Sequence, residues 1–104
     1  MNQTDYDVVA DGLLKIARDI EDSKRPGYTQ GSVDVLANFK GAGERAGITT
    51  EQAWLVHFLK HIDAICSIMA KPDLPVSEAP VGRFADAVNY LRLGWAIFNE
   101  RQAK

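Results

Sequence analysis

The sequence predicts an all-α protein: a single-domain bundle of about four helices over residues 1–104, the last two long and antiparallel. Three observations carry this. Apolar residues recur at steps of three and four over long stretches, the period of a helix with one buried face. Strand-like alternation is weak throughout. Residues that start, end or break helices gather mostly between the stretches. A chain of 104 residues is one domain, small enough that oligomerisation would help to stabilise it, so a homo-oligomer is expected.

The first helix is expected over about residues 4–23, with Thr4 or Asp5 as N-cap and Val9, Leu13, Ile16, Ala17 and Ile20 on its inner side. Asp11, Lys15, Arg18, Asp19 and Asp22 make its solvated face. A loop rich in breakers, including Pro26 and Gly27, should occupy residues 24–31. The second helix should follow Ser32 and run to about residue 46, burying Val33, Leu36 and Phe39. Gly41 and Gly43 weaken its second half, and Gly47 suits a C-terminal cap.

Thr49 and Gln52 have the spacing of a capping box, so the third helix starts there, with Ile48 and Ala53 at staple positions. Trp54, Phe58, Ile62, Ile65 and Met69 form its stripe, widened by Leu55 and Leu59, and it should end by Lys71, ahead of Pro72. Ser77 can cap the fourth helix, with Glu78 in its first turn and Pro80 early enough to be tolerated. Val81, Phe84, Val88, Leu91, Trp95 and Phe98 then alternate steps of three and four, a heptad-like seam. Its inner part is expected in the core, and Trp95 and Phe98 suit a dimer contact.

Composition excludes several classes. Hydrophobic residues make up 46% and charged residues 25%, the balance of a folded soluble protein. Twelve Lys and Arg against fourteen Asp and Glu leave a net charge of -2, a poor match to duplex nucleic acid. One cysteine, Cys66, cannot form an internal disulfide; it reads as a small buried hydrophobe in a reducing, cytoplasmic compartment. Residues 1–5 lack the pattern of a signal peptide, and charges interrupt the apolar runs, so no membrane partner is expected.

The polar residues that interrupt the apolar faces carry the chemistry. Arg83, Asp86 and Tyr90 stand at i, i+3 and i+7 and share one face, with Asn89 beside them. His57, Lys60, His61 and Asp63 interrupt the third helix. Two histidines without a third clear ligand make a weak metal signal, and a satisfied buried histidine explains them as well. Lys60 and His61 suit a phosphate, offering ammonium and imidazole donors. The 24–31 loop adds Lys24, Arg25, Tyr28, Thr29 and Gln30, with a guanidinium for phosphate and a ring for a base. A solvated loop explains those residues equally. The candidate ligand-binding set is therefore Arg25, Tyr28, Lys60, His61, Arg83, Asp86 and Tyr90. No P-loop, Cys-x-x-Cys pair or nucleophile elbow occurs.

Arg25-x-x-Tyr28, Asn38-Phe39, the run from Trp54 to Lys60-His61-x-x-Ala64-Ile65, and Glu78-x-x-x-x-Arg83-x-x-Asp86-x-x-x-Tyr90-Leu91 resemble a family of small helical phage and prophage proteins of the nucleotide-modification-associated type. Its layout is similar to the all-α, MazG-like nucleotide pyrophosphohydrolases, and the resemblance spans roughly residues 25–100. It implies phage nucleotide metabolism or counter-defence. Those enzymes hold magnesium on several carboxylates, a Glu-x-x-Glu pair on one helix and a Glu-x-x-Asp on the next. Here Arg83-x-x-Asp86 and Lys60-x-x-Asp63 put cations in those places.

Three expectations follow. The first is a nucleotide-binding protein, free of metal and cofactor, that sequesters a phosphorylated, cyclic or signalling nucleotide without turnover. The second is a magnesium-dependent pyrophosphohydrolase with a reduced site at Asp63, Glu78 and Asp86. The third is a structural or adaptor bundle whose polar residues satisfy each other through pairs such as Lys60–Asp86 or Arg83–Asp63.

Overall fold

The computed structural model describes residues 1–29, 33–76 and 79–103, with Tyr28 and Thr29 described in backbone only. The described residues form four helices and no strand: α1 (Gln3–Thr29), α2 (Ala37–Ala46), α3 (Thr50–Ala70) and α4 (Pro80–Gln102). Helices α1 and α3 pack on α4, and α2 packs on α1 and α3. Leu36, Phe39, Leu93 and Ile97 make the core, with Trp54, Tyr90 and Ala96 against it. The molecule is elongated, 44 × 27 × 24 Å.

Helix α1 does not stop at Ser23. It continues through Lys24, Arg25 and Pro26 to Thr29, so the start of the expected loop is helical. Pro26 has no N–H to give the Asp22 carbonyl, and its ring crowds that carbonyl, yet the helix carries on past it. Arg25 braces the same turn by reaching back to Glu21 and Asp22 at 3.6 and 3.4 Å. The expected inner residue Val9 is exposed, because the packed part of α1 begins near Leu13 and centres on the buried Ala17. Gln30, Gly31 and Ser32, and the expected cap residues Ser77 and Glu78, lie outside the described residues.

Helix α2 starts at Ala37 rather than after Ser32. Asp34 explains the delay: its carboxylate accepts the Leu36 N–H at 2.9 Å and its carbonyl accepts the Ala37 N–H at 3.2 Å, a turn that precedes the helix. Val33 therefore falls before the helix and is 103% exposed, while Leu36 and Phe39 are buried as expected. Gly43 has a steric reason to be glycine, since a Cβ there would lie 2.9 Å from the Ile48 carbonyl oxygen. Gly47 closes the helix with φ 72°, in the left-handed region that glycine adopts without strain.

The capping box of α3 forms as read. Thr49 Oγ1 accepts the Gln52 N–H at 3.0 Å, and Gln52 Oε1 accepts the Thr49 N–H at 2.9 Å. The helix ends at Ala70, ahead of Pro72. Its stripe is less covered than expected: Ala53 is its one fully buried residue, and Leu55, Leu59 and Met69 are exposed. Cys66 is exposed too, which corrects its reading as a buried hydrophobe. By length and composition alone, α3 is apolar enough to cross a membrane. Lys60, His61 and Asp63 do interrupt it, but the apolar turns on either side outweigh them.

On α4 the face expected in the core and the face found there differ. Ala85, Asp86, Ala87, Asn89, Leu93 and Ile97 are buried, whereas Val81, Leu91, Trp95 and Phe98 of the seam are exposed. Small side chains at Ala85 and Ala87 let neighbouring helices approach, and Asp86 and Asn89 find polar partners on α1. The heavier seam faces outward, where Trp95 and Phe98 stack at 5.7 Å between ring centres.

Candidate functional site

Asp86 is the centre of the polar cluster between α1, α3 and α4. It is buried, and Lys24 Nζ from α1 lies 3.1 Å from its Oδ1. His61 from α3 brings Nδ1 to 3.9 Å from Oδ2, beyond hydrogen-bond reach. The His61 ring rests tilted against Tyr90, one turn along α4 from Asp86, with ring centres 4.5 Å apart. Asn89 completes the group by donating from Nδ2 to the Ala17 carbonyl at 2.7 Å. His61 Nδ1 and Asn89 Oδ1 are buried and make no hydrogen bond.

The electrostatics follow from this crowding. Burial holds the His61 imidazole below its usual range; Lys24, Arg83 and His57 push the same way, and Asp86 opposes them. The balance disfavours the charged imidazole. Burial, followed by the Asp86 charge, pushes the Tyr90 phenol up. Its ring also meets Phe39 edge-on at 5.9 Å, tying the cluster to the core.

Three of the expected ligand residues, His61, Asp86 and Tyr90, therefore come together, and Arg83 is near enough to bear on His61. Lys60 does not join them; it is exposed. Arg25 belongs to a different place, a cavity of about 280 Å³ with Val35, Leu93 and Ala96, where Glu21 also takes Arg92 at 3.1 Å. Arg83 and Arg92 are nine residues apart on α4, roughly 13 Å along its axis, which separates the two regions. The Tyr28 side chain lies outside the described residues. The cation on Asp86 is Lys24, not the expected Lys60, and Asp63 is exposed. Lys24 was in view only as a loop residue; a pair spanning 62 positions leaves no local trace in a sequence.

Beside this cluster, a cavity of about 290 Å³ opens between the end of α3 (Ala64, Ser67, Ile68), Lys71, the connector residues Leu74, Pro75 and Val76, and Arg83. Arg83 precedes Asp86 by one turn and Ala64 follows His61 by one turn, so cavity and cluster adjoin. Two cations and several apolar side chains line it, with no carboxylate among its described lining residues. A cavity of about 520 Å³ at the other end of the bundle differs. There Lys40 meets Asp34 and Glu100, the latter at 2.7 Å, and Arg101 meets Glu51 at 3.0 Å.

Among the described residues, no three or more His, Cys, Asp or Glu side chains are grouped to hold a metal ion. Of the expected magnesium ligands, Asp63 is exposed, Asp86 holds Lys24, and Glu78 lies outside the described residues.

No family model, curated protein or solved structure matches the chain. The phage and MazG-like resemblance gains no support from relatives.

Proposed function

We propose that this chain is a small helical binding protein that holds a phosphorylated, nucleotide-like ligand without turning it over. The observation that carries this is the 290 Å³ cavity, with Arg83 and Lys71 on its wall and Ile68, Leu74, Pro75 and Val76 beside them. Cations suit a phosphate and apolar side chains suit a base. The volume falls just below the ~300–1,000 Å³ common for small-molecule sites, which favours one nucleotide over a larger ligand. Sequestration of a signalling nucleotide in a host cytoplasm, as the phage resemblance implies, needs only such a site.

Two further features belong to this proposal. Helices α3 and α4 run antiparallel, supported by Glu51 meeting Arg101, Trp54 meeting Tyr90 and His61 meeting Asp86, with numbers rising on one helix as they fall on the other. The chain also works as a homo-oligomer.

Thermal-shift measurements with nucleoside mono-, di- and triphosphates and cyclic dinucleotides, each with and without magnesium, test the proposal. At least one nucleotide should raise the melting temperature, since a ligand of the native state stabilises it. Arg83→Ala and Lys71→Ala should both remove the rise. No rise with any member of the panel would sink the proposal. Pyrophosphate or monophosphate released in the presence of magnesium would replace it with the pyrophosphohydrolase alternative.

A second reading, a structural or adaptor bundle, is favoured by one observation: Asp86 is already neutralised by Lys24 within the chain. In that case the panel leaves the melting temperature unmoved.

A further inference from the structure

We infer that the outward apolar face of α3 and α4 is where a second copy of this chain docks, two hairpins closing into a four-helix bundle. The face is continuous. Leu55 and Phe98 line one surface hollow of about 320 Å³, and Trp54, Leu91 and Trp95 line a neighbouring one of about 440 Å³. Leu59 continues the strip one turn along α3 from Leu55. Trp95 is 67% exposed, Leu91 56% and Phe98 52%, large values for residues of this size.

Area says how much is left uncovered. A folded monomer of 11.5 kDa exposes roughly 5,800 Å². This chain exposes 7213 Å², an excess of about 1,400 Å² over that scaling. The bare first half of α1 shares in the excess. A stable dimer buries about 800 Å² on each partner, so the surplus is large enough for one.

Three features select a second copy over other occupants. The seam from Val81 to Phe98 keeps the alternating three- and four-residue steps with which helices pair in left-handed bundles. The seam residues themselves carry no charge, and the two charges at the rim of the 320 Å³ hollow, Glu51 and Arg101, pair with each other at 3.0 Å, so an apolar surface matched by itself across a two-fold axis suits this face. A lipid surface would have to accept Asp63, exposed one turn along α3 from Leu59 and on the same side, where an ionisable group is costly in a bilayer. The interface does not depend on what the 290 Å³ cavity holds.

Sedimentation equilibrium of the full chain, from low micromolar to near-millimolar concentration, tests this. The expected mass is about 23 kDa, twice 11.5 kDa. Trp95→Glu should shift the mass to the monomer, and Val8→Glu, on an exposed part of α1, should leave the dimer intact. If Trp95→Glu fails to fold, Phe98→Gln removes less apolar area and should raise the dissociation constant at least tenfold. A wild-type monomer throughout, or a dimer that survives both substitutions on the face, overturns the inference. So does a monomer that co-sediments with phosphatidylcholine–phosphatidylglycerol vesicles, which would identify the face as lipid-binding.

Discussion

Trp54 donates its indole N–H to the Tyr90 carbonyl at 2.7 Å, and its six-membered ring lies directly over Gly94, one turn further along α4. The hydrogen bond fixes the ring, and the glycine makes room for it. This contact holds α3 against α4 just beneath the outward apolar face, and the same ring stacks on Phe58 at 5.1 Å.

Gly94→Ala places a methyl group inside the Trp54 ring and should destabilise the protein by about 1–3 kcal/mol, as overpacking does. Gly12→Ala meets nothing within 4 Å and should have the opposite sign, stabilising by about 0.5–1 kcal/mol through helix propensity. Urea denaturation of the two variants reads both. Equal effects would show that Trp54 moves aside freely.

Lys24 is half exposed and Asp86 is not, with side-chain exposures of 49% and 11%, so removing the lysine strands a carboxylate. Lys24→Met should destabilise by about 1–3 kcal/mol, less than for a fully buried pair because water reaches the lysine. Adding Asp86→Asn should recover most of the loss. A double variant no better than the single would show that the lysine stem, not its charge, matters. Lys15→Ala, which breaks the exposed Lys15–Asp19 pair, should leave the midpoint where it is.

His61 supplies a pH dependence of definite sign. Its imidazole is held low by burial first, then by Lys24, Arg83 and His57 against the pull of Asp86. The unfolded chain takes up a proton near the ordinary value of 6.5, where the folded chain does not. Below that pH the unfolded state binds more protons, so stability falls as pH falls, and the loss levels off below the folded-state value. The urea midpoint should therefore drop between about pH 7.5 and about pH 5.5, with a shallower slope in His61→Gln. Identical slopes would mean that the imidazole titrates normally.

Thr49→Ala removes the acceptor for the Gln52 N–H and should destabilise by about 1 kcal/mol, within the ~0.5–2 kcal/mol range of such caps. Thermal unfolding followed by circular dichroism gives the value. No change would assign the start of α3 to packing of Ala53 alone.

The parts of the fold legible in the sequence were those set by local chemistry. The Thr49–Gln52 box, the Gly47 cap and the stop before Pro72 each act within a turn of the chain, and each is where the sequence puts it. Pro26 misled because a proline costs a helix one hydrogen bond and a local clash in the turn before it, and α1 continues through it all the same. The seam on α4 misled differently: periodicity tells which residues share a face, not what covers that face. Burial went to Ala85, Asp86 and Asn89, whose fit depends on Ala17 and Lys24 in another helix. In the candidate site, Asp86 and Tyr90 could be grouped from helical spacing, and His61 joins them only through the packing of α3 on α4. Lys71 drew notice only as a helix end, since its place beside Arg83 depends on the path of the connector.

The first half of α1 has a consequence for handling the protein. Between Met1 and Ala10 its side chains are almost all exposed, Met1 to 89%, while Ala17 and Lys24 pin the second half to α4. A lone helical stretch that short is marginal in water, so its opening turns fray and reform without disturbing the core. Amide deuterons should enter there first, and a fluorophore or affinity tag attached at Met1 rides on a lever whose melting the rest of the molecule does not feel.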